Sequence, residues 1–373
     1  MEQLRTPLHD LSLKAGGRMV PFAGWEMPVQ FSGLIQEHNS VRNNAGVFDI
    51  SHMGVLRIDG QNIKDTFQRL IPTDLHRISE GEACYSVLLN DNGGIIDDLI
   101  IYDLGGNKNG NESLIIVINA ACFEQDLKWL NTHLHEKSIS IKNIKKEGVL
   151  LAVQGPKSLS YLEQISEISL TDIPRFGHRF ITLKGTSFNN ENETFIARTG
   201  YTGENGFELL LSQENGRILW SELINNGLSP CGLGSRDTLR LEAAMHLYGQ
   251  DLNEETTPFE AGLGWLVNLE APIQFIGRKA LETQAEKGIA KKLIGLKMKG
   301  KAIARQGYPV FESGKQIGEI TSGTWSPTLE EAIALAYVPP TTSKLGTQVA
   351  VNIRGVNHPA IVVRRPFYRT QNP

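Results

Sequence analysis

The sequence predicts an α+β protein whose last quarter is β-rich, and three observations carry that prediction. Apolar strands alternate with amphipathic helices between about residues 110 and 230. Glycine-linked strand pairs interrupt the alternation, which favours antiparallel sheets over a doubly wound parallel one. From about Lys291 short strands succeed one another at regular spacing, which predicts a small barrel or sandwich as a separate unit. Length agrees, since 373 residues at about 150 per domain allow roughly two to three domains. So does the glycine content: 37 residues, about one in ten against a usual share of roughly 7%, imply many tight turns.

The first strand pair spans Gly81–Leu89 and Ile95–Tyr102, and the Asn92-Gly93 and Gly93-Gly94 dipeptides between them are hairpin signals. A strand Leu114–Asn119 then leads into a helix with Phe123, Leu127, Leu130 and Leu134 at helical spacing. A second strand, Val149–Gln154, precedes Gly155-Pro156, which opens a helix carrying Leu159, Leu162 and Ile165. The third, Phe207–Leu211, precedes a helix through Ile218, Leu219 and Leu223. Ser235 is placed as the N-cap of a helix Arg236–Tyr248. Ala271–Gly288 reads as a helix and linker. Beyond it Ile294, Leu296 and Met298 alternate with Leu293, Gly295 and Lys297 as a half-buried strand, and turns are placed at Glu312–Lys315, Ser322-Gly323 and Arg354–Asn357.

Composition removes several function classes. Lys+Arg 37 against Asp+Glu 41 leaves a formal charge of -4, so no global basic field draws the chain to nucleic acid. No run of 18 apolar residues exists to form a membrane helix, and Met1–Pro7 lacks the apolar core of a secretory signal. Cys84, Cys122 and Cys231 are odd in number and far apart, against a disulfide framework, so a reduced, cytoplasmic compartment is expected. There is no P-loop, HExxH or GxSxG, and Gly232-Leu233-Gly234 lacks the third glycine of a dinucleotide fingerprint. His133 and His135 flank Leu134 on an amphipathic helix and read as solvated surface, so no metal site is expected.

Carboxylates, an arginine and aromatics beside glycine turns remain. Alternation puts Asp98, Ile100 and Tyr102 on one strand face and Leu99 and Ile101 on the other. A carboxylate beside an aliphatic and an aromatic residue suits a flat, partly polar ligand. An exposed face, with Asp97 and Asp98 closing a turn, explains the pattern equally well. Glu208 lies opposite Phe207, Leu209 and Leu211, after the glycine-rich turn Arg198–Gly206 that carries Tyr201; an exposed strand face is the plainer alternative. Arg236 in a first helical turn opposes the helix dipole at about 0.3–1 kcal/mol, which an anionic or carbonyl-rich ligand would relieve, as would Asp237.

The same segments carry a resemblance that covers nearly the whole chain in order. Met19–Pro28 (MVPFAGWEMP), Phe48–Gly54 (FDISHMG), Asn92–Tyr102, Arg198–Leu211 and Gly232–Trp265 resemble the aminomethyltransferases, the T-proteins of the glycine cleavage system. Gly318–Gly323 and Arg365–Tyr368 extend the match to the C-terminus. The resemblance implies three domains around a central folate cavity: two α+β units of ferredoxin-like character, one inserted in the other, and a C-terminal β-barrel. The implied boundaries are 1–52 with 150–270, 53–149, and 271–373. It implies Asp98 as the catalytic carboxylate and a folate-binding set of Met53, Tyr85, Asp98, Ile100, Tyr102, Asn119, Tyr201, Glu208 and Arg236.

The implied reaction moves the methylene carbon from the aminomethyl-lipoyl arm of a partner, the H-protein, to tetrahydrofolate. Its products are 5,10-methylenetetrahydrofolate, ammonia and dihydrolipoyl H-protein. Asp98 is expected to assist the weakly nucleophilic arylamine N10 as a general base, and Glu208 to hold the pterin N–H edge with Arg236 partly neutralising it. Tetrahydrofolate as co-substrate, no metal and a monomer are expected. Lys142, Lys145, Lys146 and the Lys291–Lys301 cluster offer a basic docking face for an acidic carrier, with a solvated surface the commoner explanation. Folate-dependent demethylases share the fold and would turn over free substrate. Folate-binding accessory proteins of iron–sulfur assembly carry a Lys-Gly-Cys-Tyr-type motif, where this chain has Phe275–Leu281 and no cysteine.

Overall fold

The computed structural model describes residues 3–135, 138–145, 148–185, 187–189 and 193–370. The N-terminal segment contributes α1 (His9–Lys14), a hairpin of β1 (Arg18–Phe22) and β2 (Trp25–Gln30), α2 (Leu34–Asn43) and β3 (Gly46–Asp49). The chain then leaves to build a separate sheet from β4 (Gly54–Gln61), α3 (Ile63–Gln68), β5 (Ala83–Leu89), β6 (Ile95–Gly106), β7 (Asn111–Ile118), α4 (Phe123–His133) and β8 (Ser140–Asn143). Its strand order is β5-β6-β7-β4-β8, every neighbour antiparallel. Without β5, the sequence β4-α3-β6-β7-α4-β8 and its order are those of a ferredoxin-like unit.

The return strand β9 (Gly148–Gln154) pairs antiparallel with β3, so the five-stranded sheet is threaded between two neighbouring strands of another. That second sheet continues with α5 (Ser158–Leu162), β10 (His178–Ile181), β11 (Thr194–Ala197), β12 (Gly206–Ser212), α6 (Gln213–Asn225) and β13 (Ser229–Pro230). Its order is β10-β11-β12-β9-β3-β13, with β13 parallel to β3. Val149, Leu151 and Val153 on β9 and Phe207, Leu209 and Leu211 on β12 pack under Leu219, Trp220 and Leu223 of α6, one face of each strand meeting one stripe of the helix. Proline does not open α5: Pro156 lies in the preceding turn, Lys157 is the N-cap, and Ile165 falls beyond the end.

The next helices are α7 (Leu233–Glu242), α8 (Pro258–Ala261) and α9 (Arg278–Lys287). A closed six-stranded barrel follows, with β14 (Lys292–Met298), β15 (Pro309–Glu312), β16 (Lys315–Ser326), β17 (Glu331–Val338), β18 (Gln348–Ile353) and β19 (Val356–Val363) in the order β14-β17-β16-β15-β18-β19. Closure leaves no edge strand in this unit. Two expectations need correction here. Ser322-Gly323 is not a turn but lies inside β16 at a bulge, where a Cβ on Gly323 would stand 2.4 Å from the Ala304 carbonyl oxygen; close approach of two backbones explains the glycine. β14 is buried on both faces, because Leu293 packs outward with Leu241 and Leu335 while Ile294, Leu296 and Met298 fill the barrel.

Candidate active site

Asp98 lies in the middle of β6, which also places Ile100 and Tyr102 on the same face. Two donors fix its carboxylate: the Tyr85 hydroxyl, from the neighbouring β5, donates to Oδ2 at 2.9 Å, and Asn119 Nδ2 donates to Oδ1 at 2.8 Å. Asn119 follows β7, so three adjacent strands converge on one side chain. Burial first, and the Asp97 carboxylate second, push the Asp98 pKa up to about 7. Asp97 closes no exposed turn: it is 0% exposed and accepts from the Asn119 backbone N–H and side chain at 3.0 and 2.8 Å.

Glu208 on β12 comes from the other sheet. It is buried, and Thr199 donates to its Oε2 at 2.6 Å; Oε1 accepts nothing among the described residues. Burial raises its pKa, while Thr199 and Arg236 pull the other way. Thr199 also meets the Tyr102 hydroxyl at 3.1 Å, so one bridge joins the Asp98 strand to the Glu208 strand. Tyr102 is itself 1% exposed, its ring edge-on to Phe195 and His178. Met53 and Ile100 are half-buried in that cluster.

Arg236 sits differently from expectation. α7 begins at Leu233 with Gly232 as N-cap, and Ser235 is its third residue. Glu37 of α2 engages this end of the helix, Oε2 accepting from the Gly232 N–H at 2.8 Å and from the Ser235 hydroxyl at 3.2 Å. The helix stops at Glu242, not Tyr248, where the chain turns through Ala244 at φ 53. Arg236 covers the Tyr201 ring at 4.7 Å, and the Tyr201 hydroxyl donates to the His246 carbonyl. Asp237 pairs with Arg240 at 2.8 Å instead. Among the described residues the Arg236 guanidinium donates to nothing and forms no ion pair with Glu208, although the two charges act on each other through space.

Residues named on sequence thus fall into three contacting groups: Tyr85–Asp98–Asn119, Tyr102–Glu208 through Thr199, and Tyr201–Arg236. Electrostatic coupling of Asp98 to Tyr201 and of Glu208 to Arg236 ties them together. Two surface hollows, about 850 Å³ along Ser32–Ser40 and about 400 Å³ between Tyr161 and Asn226, include none of them. Sequence reasoning missed Thr199, which no periodicity marks. It also missed Trp265, 71% exposed and stacked on Tyr85 at 6.3 Å, whose signal was an aromatic beside glycine at Leu263–Leu266. Of the expected basic face, Lys145 is buried over Trp25 and donates to the Ser51 carbonyl, burial bringing its pKa down to about 8. Lys291 likewise lies over the Tyr337 ring, and Lys146 is outside the described residues.

Fold and site together define an α+β enzyme closed by a barrel, with its polar groups at the seam between two sheets. Residues 8–271 match the GCVT N-terminal domain, and residues 291–369 match the glycine cleavage T-protein C-terminal barrel domain. The aminomethyltransferase of Prochlorococcus marinus (strain MIT 9303) is 62% identical over 369 residues, 99% of either chain. That of Synechococcus sp. (strain CC9902) is 62% identical over 366 residues, 98% of this chain and 99% of that one. The crystal structure of glycine cleavage system aminomethyltransferase T from Bartonella henselae aligns with a TM-score of 0.89 at 32% identity, covering 98% of each chain. The chain belongs to the aminomethyltransferase family, the T-proteins of the glycine cleavage system.

Proposed function

We propose that the chain transfers the one-carbon unit of aminomethylated, lipoyl-bearing H-protein to tetrahydrofolate, releasing ammonia, and that the pterin lies between Glu208, Arg236 and Asp98. The supporting observation is a mismatch that a ligand would resolve. Among the described residues, a buried carboxylate with one oxygen free of donors interacts through space with a guanidinium that has no hydrogen-bond acceptor. A pterin edge offers N–H donors to the first and ring acceptors to the second. The domains are proposed as 1–52 with 150–270, 53–149, and 271–373, supported by the inserted five-stranded sheet and the barrel, although β9 of the second sheet begins at Gly148. The reading includes a monomer working in the cytoplasm; no helix among the described residues is long and apolar enough to cross a membrane.

Asp98 supplies the proton chemistry. With its pKa near 7 it is poised between acid and base at neutral pH, the condition under which general catalysis contributes ~10²–10⁴-fold. Tyr85 and Asn119 hold its two oxygens, so the lone pair presented to N10 has a fixed direction. Glu208 and Arg236 orient the ring, and Trp265 stacks on Tyr85, the residue that donates to Asp98. Excluding water here protects the one-carbon unit from hydrolysis.

Ammonia release from aminomethylated H-protein, with and without tetrahydrofolate, tests the proposal. Release that depends on both is expected. Turnover of a free methylamine substrate without H-protein would overturn it in favour of a demethylase.

A further inference from the structure

Behind Asp98 lies a group of acids that the proposed reaction does not use. Asp126 is on the inward face of α4, one turn before Leu130, and is 0% exposed; no other group donates to either of its oxygens. It lies within hydrogen-bonding reach of Asp97, whose oxygens already take the Asn119 N–H and amide and which the Cys122 thiol also faces. The Asn119 amide divides its donors between Asp97 Oδ1 and Asp98 Oδ1, both at 2.8 Å. Three carboxyl groups therefore stand in sequence, Asp126, Asp97 and Asp98, and among the described residues none makes an ion pair.

The groups facing Asp126 offer no compensation. Asp97 and Asp98 come from β6, Cys122 from the N-cap of its own helix, and Tyr248 from the segment after α7. None of these is a cation. No set of His, Cys, Asp and Glu among the described residues has the arrangement of a metal site. Two carboxylates in contact and out of water cannot both ionise, whereas a carboxylic acid has one O–H to donate. Protonating one of the pair gives Asp126 a partner and removes one charge.

We propose that Asp126 and Asp97 share a single proton and, through Asn119, act as a positioning pair that holds Asp98 in its working orientation. Asp126 is the member that carries the proton, since Asp97 already accepts from the Asn119 N–H and amide while neither Asp126 oxygen has a donor among the described residues, and burial raises the Asp126 pKa in the same direction. Asp97 stays the acceptor for Asn119, and Asn119 then presents its second N–H to Asp98. The inference rests on Asp98 being the working carboxylate, but the shared proton has a readout of its own.

Infrared spectra of the ligand-free protein at pH 8 are expected to show a protonated-carboxyl band that Asp126→Asn removes. Asp97→Asn shifts that band, because its acceptor changes from carboxylate to amide. In pH–rate profiles, Asp126→Asn keeps the acid-limb midpoint, since its amide can still donate to Asp97. Asp126→Ala bares Asp97 and raises that midpoint by about half a unit or more; Asp97→Asn lowers it by about one unit. An unchanged band in Asp126→Asn, or one midpoint shared by Asp126→Asn and Asp126→Ala, overturns the pair. If the band behaves as stated while Asp98→Asn keeps full turnover, the assignment of Asp98 fails and the pair stands.

Discussion

Asp98 combines a cost to the free protein with a use in the reaction. Its pKa is raised in the folded state, so the folded protein binds the proton more tightly than the unfolded chain. Stability then falls as pH rises between the ordinary carboxylate value and about 7, by roughly 1.4 kcal/mol for each unit crossed. Asp98→Asn removes that ionisation. Its melting temperature relative to wild type should be higher at pH 8 than at pH 4, while kcat falls about a hundredfold or more. Equal differences at the two pH values would show that burial does not penalise this carboxylate. Glu208→Ala is a binding lesion instead: losing charge-assisted hydrogen bonds of about 1.5–3 kcal/mol each should raise the tetrahydrofolate Kd at least tenfold, read by titration. At this scale the strand pattern was legible, since a period of two put Asp98 with Ile100 and Glu208 opposite Phe207. Thr199 and Asp126 were not, because each matters through a residue on another element.

The elements show where local signals stop being sufficient. The β5–β6 hairpin was readable from Asn90–Gly94, and Asn90 Oδ1 does accept from the N–H groups of Asn92 and Gly94, at 3.0 and 2.9 Å. What the dipeptides do not say is that this turn is packed against a remote segment. A Cβ on Gly94 would stand 1.8 Å from the Glu254 carbonyl oxygen, and the Ile95 N–H donates to Thr256 at 3.0 Å. Gly94→Ala must therefore displace either the turn or residues 254–256, and β6 carries Asp98 four residues further on. A loss of about 1–3 kcal/mol in stability is expected, together with reduced kcat measured below the new melting point. A variant with wild-type melting and turnover would mean that the segment yields freely. The boundaries of α7 failed for a related reason. Ser235 has the side chain of an N-cap, but its hydroxyl is engaged by Glu37, nearly two hundred residues earlier, and by the Gly232 carbonyl, so it lies inside the first turn of a helix that begins at Leu233.

For the molecule as a whole, periodicity revealed the strands but not their nesting: β3 and β9 are neighbours although the entire five-stranded sheet separates them in sequence. The barrel was visible as a change in character, and its attachment was not. That attachment runs through α7, whose Arg236 reaches the site while Arg240 and Glu242 hold the barrel. Arg240 pairs with Asp251 at 2.7 Å and donates to Ser322 of β16 at 2.9 Å. Glu242, 0% exposed, accepts from Ser326 and Thr328 of the barrel and from Arg42 of α2, the last at 2.8 Å, with His38 at 3.3 Å. Burial alone would raise the Glu242 pKa, yet His38, Ser326 and Arg42 together bring it down to about 2. A lowered carboxylate stabilises the fold above its unfolded value, near 4.5, and that contribution, roughly 3 kcal/mol, is lost as pH falls towards about 2. Glu242→Gln should therefore melt well below wild type at pH 7, and the gap should narrow by about half or more at pH 3 and close only towards pH 2. Calorimetry at the two pH values checks this. A gap that stays constant would mean that Glu242 contributes shape rather than charge, and that the barrel is held to α7 by packing of Leu241 against Leu293 and Leu335.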